Sequence, residues 1–186
     1  MYYNQYNQQC AKKDENRDLM LARMLDEELF TDFTLKAGDL EIKVHKAVLA
    51  ARSPVFPDHG VVEMQNVEPE TLEQLVSYLY CVSIEKEEGL VQDLLQLADM
   101  YGIEDLKSEC ENILLLTVNE NNACENALLA DSFDCAPLRE RAIEIIASSP
   151  NITKTEGWYE FVRKPDLVTK AFEMRDVKNS LEDDFC

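Results

Sequence analysis

The sequence predicts an α+β protein: a small sheet near the N-terminus followed by a chain of helices. Three observations carry that expectation. Between Leu40 and His45 the residues alternate, with Leu40, Ile42 and Val44 on one face and Glu41, Lys43 and His45 on the other, the period of a half-buried strand. From Lys46 the period lengthens: Ala47, Leu49 and Ala50 recur at helical spacing until Arg52-Ser53-Pro54, where proline disfavours helical geometry in Ser53. Beyond Glu68 apolar residues keep returning at helical spacing, with no further stretch of clear alternation.

Taken in order, Met1–Gln9 is a Tyr/Asn/Gln segment without apolar period, and residues 1–18 are expected to be disordered. Asp14–Phe30 reads as a helix, because Leu21, Met24, Leu25 and Leu29 fall at i, i+3, i+4 and i+8 on one face. Thr31–Lys36 reads as a strand, and Ala37-Gly38-Asp39 turns it into the strand at Leu40. Pro57-Asp58-His59-Gly60 is a turn-like cluster before a short strand at Val61–Met64. Glu68-Pro69-Glu70 opens a helix, with proline suited to the first turn and acids favourable at its positive end. Its inward stripe is Leu72, Leu75, Val76 and Leu79. The next stripe is Leu90, Leu94, Leu97, Ala98 and Tyr101, stopped by Gly102; a third is Leu106, Cys110, Ile113 and Leu114.

Thr117-Val118-Asn119-Glu120 has the spacing of a capping box and is expected to start a helix running to about Asp131, with Ala127, Leu128 and Ala130 as its apolar residues. Asp134-Cys135-Ala136-Pro137 starts another, with Leu138, Ala142, Ile145 and Ile146 inward, and the tight link makes the two a helix pair. Trp158 is expected to anchor the last helices by burying its ring. Residues 176–186 read as a loose acidic tail.

Composition narrows the function. Of 186 residues, 37 are acidic and 18 basic, a formal charge of −19. Binding to a phosphate backbone needs clustered Lys and Arg, so neither nucleic acid nor an anionic membrane surface is an expected partner. No apolar run approaches the ~20 residues of a membrane span, and no secretory signal is legible, so an intracellular location (nucleus or cytoplasm) is expected. The six cysteines form no C-x-x-C pair and read as free thiols. With five glycines there is no phosphate-binding loop, and neither G-x-S-x-G nor H-E-x-x-H occurs. Catalytic residues, metal ligands and cofactors are therefore expected to be none. The Glu85, Glu87 and Glu88 run reads as a solvated loop.

The stretch from Leu40 to Phe56, together with Phe30-Thr31-Asp32, resembles the opening of a BTB/POZ domain, and within that family the speckle-type POZ proteins, which adapt substrates to cullin-based ubiquitin ligases. The likeness runs from about Leu19 to Met174. It implies a BTB/POZ fold over 19–116 and a helical extension of BACK or 3-box type over 117–175 (including Thr155–Val162 and Pro165–Val168), whereas neither the TRAF-like substrate domain of speckle-type proteins nor kelch repeats are expected, since neither fits in the residues outside the likeness. It further implies a homodimer or heterodimer through Leu21, Met24, Leu25 and Leu29. Asp32 and Lys46 match a charged pair near the dimer interface; as an exposed pair they would contribute at most ~1 kcal/mol. His45 is implied to be structural. Phe56 and Tyr101 fall in the cullin-facing region.

One departure stands out. After Ser53-Pro54-Val55-Phe56 the family continues with a helix and a loop carrying a hydrophobic-x-Glu motif that touches the cullin. This chain is shorter there by about ten residues, about three helical turns, and Pro57 is a poor residue to carry a helix forward. Val61-x-Glu63 matches that motif by letters but aligns with the following strand. Two expectations result: an adaptor subunit with weakened cullin binding, or a dimerisation-only protein that pairs with full-length BTB adaptors.

Overall fold

The computed structural model describes residues 20–56, 60–81 and 84–183, with side chains up to 176. The chain divides into two compact units, Met1–Lys107 and Ser108–Cys186. The expected disorder of residues 1–18, and the first part of the helix expected from Asp14, lie outside the described residues, as do Pro57, Asp58 and His59.

In the first unit, helix α1 is described over 20–26, and its C-terminal end comes earlier than its apolar pattern predicts. Glu28 N–H bonds to Leu25 O and Leu29 N–H to Met24 O, both at 3.0 Å, with Glu28 at φ 48°. These are the two bonds of a Schellman stop, with glutamate standing where glycine usually sits. Leu29 is therefore beyond the helix, in a turn. Strand β1, Phe33–Ala37, starts two residues later than predicted and buries Phe33, Leu35 and Ala37 on one face. It pairs antiparallel with β2, Leu40–Val44, in the register Phe33↔Val44, Leu35↔Ile42 and Ala37↔Leu40, through a turn at Gly38 with φ +55°. Helix α2, Lys46–Arg52, follows with a single intervening residue, His45, as the alternation read from sequence requires. Only Leu49 of α2 is buried; Ala47 and Ala50 are exposed. Strand β3, Val61–Glu63, pairs parallel with β1, giving the order β2-β1-β3 among the described residues.

Helices α3, Pro69–Leu79, and α4, Glu88–Met100, complete the first unit's core. Pro69 sits in the first turn of α3, where its missing amide costs nothing. All the stripe residues named from sequence in both helices are buried, apart from half-buried Tyr101 at the C-cap of α4. Gly102 follows at φ +63°, and a Cβ there would lie 3.4 Å from Pro54. Helix α5, Glu104–Thr117, crosses the division between units and buries Leu106, Cys110, Ile113 and Leu114.

The second unit is helical: α6 Ala123–Ser132, α7 Ala136–Ser148, a 3-10 turn Ile152–Lys154, α8 Trp158–Phe161 and α9 Pro165–Asp183. The expected capping box does not form. Thr117 Oγ1 donates backward to Ile113 O and Leu114 O at 3.2 and 3.3 Å, closing α5, and α6 starts at Ala123 after an asparagine turn. In α7 it is Ile143, with Leu138, Ala142 and Ile146, that is buried, while Ile145 is only partly covered. The ring at the centre of this unit is Phe161, fully buried. Trp158 is half-buried and stacks on it at 5.9 Å, so the expected anchor is displaced by three residues. Helix α9 continues from Asp176 to Asp183, where a loose tail was expected.

Candidate functional site

The first unit presents two surfaces built from residues singled out in the sequence. One gathers around the α1 turn. Leu21, Met24, Leu25 and Leu29 are all half-buried, and Phe30, beside them in sequence, is 90% exposed. Asp32 Oδ1 accepts the Lys46 backbone N–H at 2.8 Å. The carboxylate thus caps the first residue of α2, a position where His45 offers no side-chain cap and where negative charge is favoured. Asp32 meets Lys46 through the backbone, a contact that the matching of opposite charges does not foresee.

His45 itself is buried at 7% exposure. Its ring contacts the Tyr80 hydroxyl through Nδ1 and Leu29 O through Nε2, both at 2.6 Å, and its backbone N–H donates to the Tyr80 hydroxyl at 2.9 Å. Burial pushes the Tyr80 phenol up to about 12; the bond with His45 lowers it, and the charge of Asp32 raises it. Tyr80 is therefore a neutral hydrogen-bonding group. Sequence reasoning missed it, although Tyr80 lies at i+4 from Val76 and so continues the helical stripe that marks burial.

The other surface lies where α2 and α4 end. Phe56 stacks on Tyr101 with ring centroids 4.6 Å apart and planes 17° from parallel. Ser53 ties the two turns together: its hydroxyl donates to Tyr101 O and accepts the Val55 N–H at 3.1 Å. Next to the ring residues in sequence, Val55 is 52% and Met100 64% exposed. These two neighbours were not singled out from sequence, where a lone apolar residue at a helix end carries no signal of exposure. Burial raises the Tyr101 phenol above its ordinary value. The stacked rings and their two exposed aliphatic neighbours in sequence thus sit on tied turns. Val61 and Glu63 belong to β3 and point to its exposed side.

Chemistry is sparse around both surfaces. Among the described residues no group of three or more His, Cys, Asp or Glu is placed to hold a metal ion, and no helix is long and apolar enough to cross a membrane. Cys81, Cys110, Cys124 and Cys135 are free thiols, and burial pushes Cys110 up to about 12.

Comparison with known proteins agrees with this architecture. The BTB/POZ domain profile matches residues 21–118, more than half of the chain. Among curated proteins, the chain is 33% identical over 172 residues to protein maternal effect lethal 26 of Caenorhabditis elegans, covering 85% of this chain and 44% of that protein. It is 34% identical over 158 residues to TD and POZ domain-containing protein 4 of Mus musculus, covering 77% of this chain and 43% of that protein. The chain thus spans less than half the length of these relatives. Among solved structures, the BTB domain of zebrafish PATZ1 superposes with a TM-score of 0.50 at 22% identity, over 55% of this chain and 92% of that one, a likeness of fold alone. The fold is that of a protein-interaction domain, and the chain belongs to the BTB/POZ family.

Proposed function

We propose that this chain is a dimeric BTB module with a helical extension, serving as an adaptor-type subunit of a cullin-RING ubiquitin ligase in protein ubiquitination. The observation that carries the reading is the stacked Phe56–Tyr101 pair with exposed Val55 and Met100 beside it in sequence. The resemblance to speckle-type POZ proteins supports a cullin-facing role for this region. Aromatic side chains held on tied turns are the type of group that dominates binding at interfaces. The similarity to curated relatives also runs well past the BTB match, over 172 residues, which supports a BTB domain over 19–116 with a companion extension over 117–175. The module acts inside the cell, by protein contact rather than by chemistry of its own, and pairs with itself or with other BTB chains through the Leu21, Met24 and Leu25 face.

A second reading is favoured by one observation: only four residues separate Phe56 from β3. Without the helix and loop the family places there, the chain would dimerise with full-length adaptors and titrate them. Co-purification with a cullin N-terminal domain separates the two. The adaptor reading expects the native chain to retain the cullin fragment and Tyr101→Ala to release it. Retention of a BTB partner but never of the cullin favours the second.

A further inference from the structure

We infer that His45 is the positioning residue for helix α1, tying the turn behind it to the buried end of α3. Nothing in 20–32 is fully buried, so packing alone holds this segment weakly. The turn is also strained: Glu28 and Phe30, on either side of Leu29, hold φ of 48° and 60°. Such conformations in residues other than glycine persist only where the surroundings impose them.

Among the described residues, few polar ties reach the turn from the domain. Lys43 Nζ meets Glu28 at 2.6 Å, but both side chains are more than half exposed and water screens the pair. Asp32 N–H bonds to Val44 O at 3.2 Å, beyond the turn on the strand side. The tie from a buried side chain is His45 Nε2 to Leu29 O. One neutral tautomer satisfies every contact of this ring. A carbonyl only accepts, so Nε2 must carry the proton that faces Leu29; Nδ1 then accepts from the Tyr80 hydroxyl, and that oxygen accepts the His45 backbone N–H. The opposite tautomer would set two lone pairs 2.6 Å apart. The Leu29 carbonyl thereby fixes which nitrogen carries the proton, and Tyr80, with no exposed surface, holds the other. Leaving any member of such a buried relay unpaired is costly.

The functional consequence rests on the dimer reading: because α1 carries Leu21, Met24 and Leu25, the relay presents the pairing face in one orientation. The test uses the full chain with Tyr80→Phe, His45→Gln and, as a core control, Leu72→Ala. Hydrogen exchange of residues 20–30 is followed by mass spectrometry and the dimer dissociation constant by dilution. Both relay variants are expected to speed exchange of 20–30 at least tenfold while leaving β1 protected, and to weaken the dimer at least tenfold. Leu72→Ala should lower the melting temperature without singling out that segment. Faster exchange with an unchanged dimer constant supports the relay and refutes α1 as the pairing face. Unchanged exchange of 20–30 in Tyr80→Phe, the milder variant, overturns the inference whatever the dimer does.

Discussion

Phe161→Ala is expected to unfold the second unit at a much lower temperature, and the magnitude follows from burial. Phe161 is fully enclosed by the cluster that includes Ala123, Cys124, Ala127, Ile143, Ile146 and Leu167. A buried phenylalanine removes about 200 Å² from water, which at ~25 cal/mol per Å² gives about 5 kcal/mol as an upper bound. Truncations of this kind cost about 3–5 kcal/mol. Against a total domain stability of about 5–15 kcal/mol, that is a large share for a small unit. At ~4–8 °C per kcal/mol for a domain of this size, the transition should fall by at least about 12 °C. The assay is built in: Trp158 is the single tryptophan and sits on Phe161, so its emission reports this unit. Trp158→Ala, followed by circular dichroism, should cost clearly less, because that ring is half-buried. A midpoint within about 2 °C of the native chain for Phe161→Ala would refute the placement of Phe161 at the centre of the unit.

Three further outcomes are expected. Gly157→Ala should lower the same tryptophan midpoint, since its Cβ would lie 2.7 Å from Glu125 Cγ and 3.1 Å from Glu125 N, an overpacking worth about 1–3 kcal/mol. Leu21→Asp with Met24→Asp should convert dimers to monomers by light scattering, whereas a native chain that is already monomeric would refute the pairing face. Alkaline stability should decline: burial raises Cys110 from 9.0 and Tyr80 from 10.0, each to about 12, so both favour the folded state while protonated. Their contribution is present below the ordinary values and lost as pH climbs toward 12. Denaturant midpoints should therefore fall between about pH 9 and 12, and Cys110→Ala should make that fall shallower; an equal slope would refute the buried-thiol reading.

Much of the fold was legible because its signals are local and periodic. Leu40, Ile42 and Val44 alternate, and Lys46–Arg52 follows as a helix, because one face of each element meets the core. Readings failed where one local interaction displaced another. Thr117 could cap forward or bond backward, and its hydroxyl closes α5. Leu29 has the spacing of α1 but follows a Schellman stop at Glu28, which no glycine announces. Ile145 and Trp158 were assigned inward on apolar character, yet Ile143 and Phe161 lie on the enclosed side, a distinction that depends on where neighbouring helices pack. Of the candidate sites, Phe56 and Tyr101 were named from sequence and the structure stacks them. The His45–Tyr80 contact spans 35 residues, and no local pattern encodes it.

The adaptor reading is tested most directly by calorimetric titration of the native chain with a cullin N-terminal domain. With Phe56 and Tyr101 in place but the helix and loop after Phe56 absent, measurable binding weaker than that of a complete speckle-type BTB domain is expected. Binding should be lost in Tyr101→Ala and strengthened when the absent helix-loop is grafted between Phe56 and Val61. A native chain that gives no heat beyond dilution, and gains none with the graft, would contradict that reading.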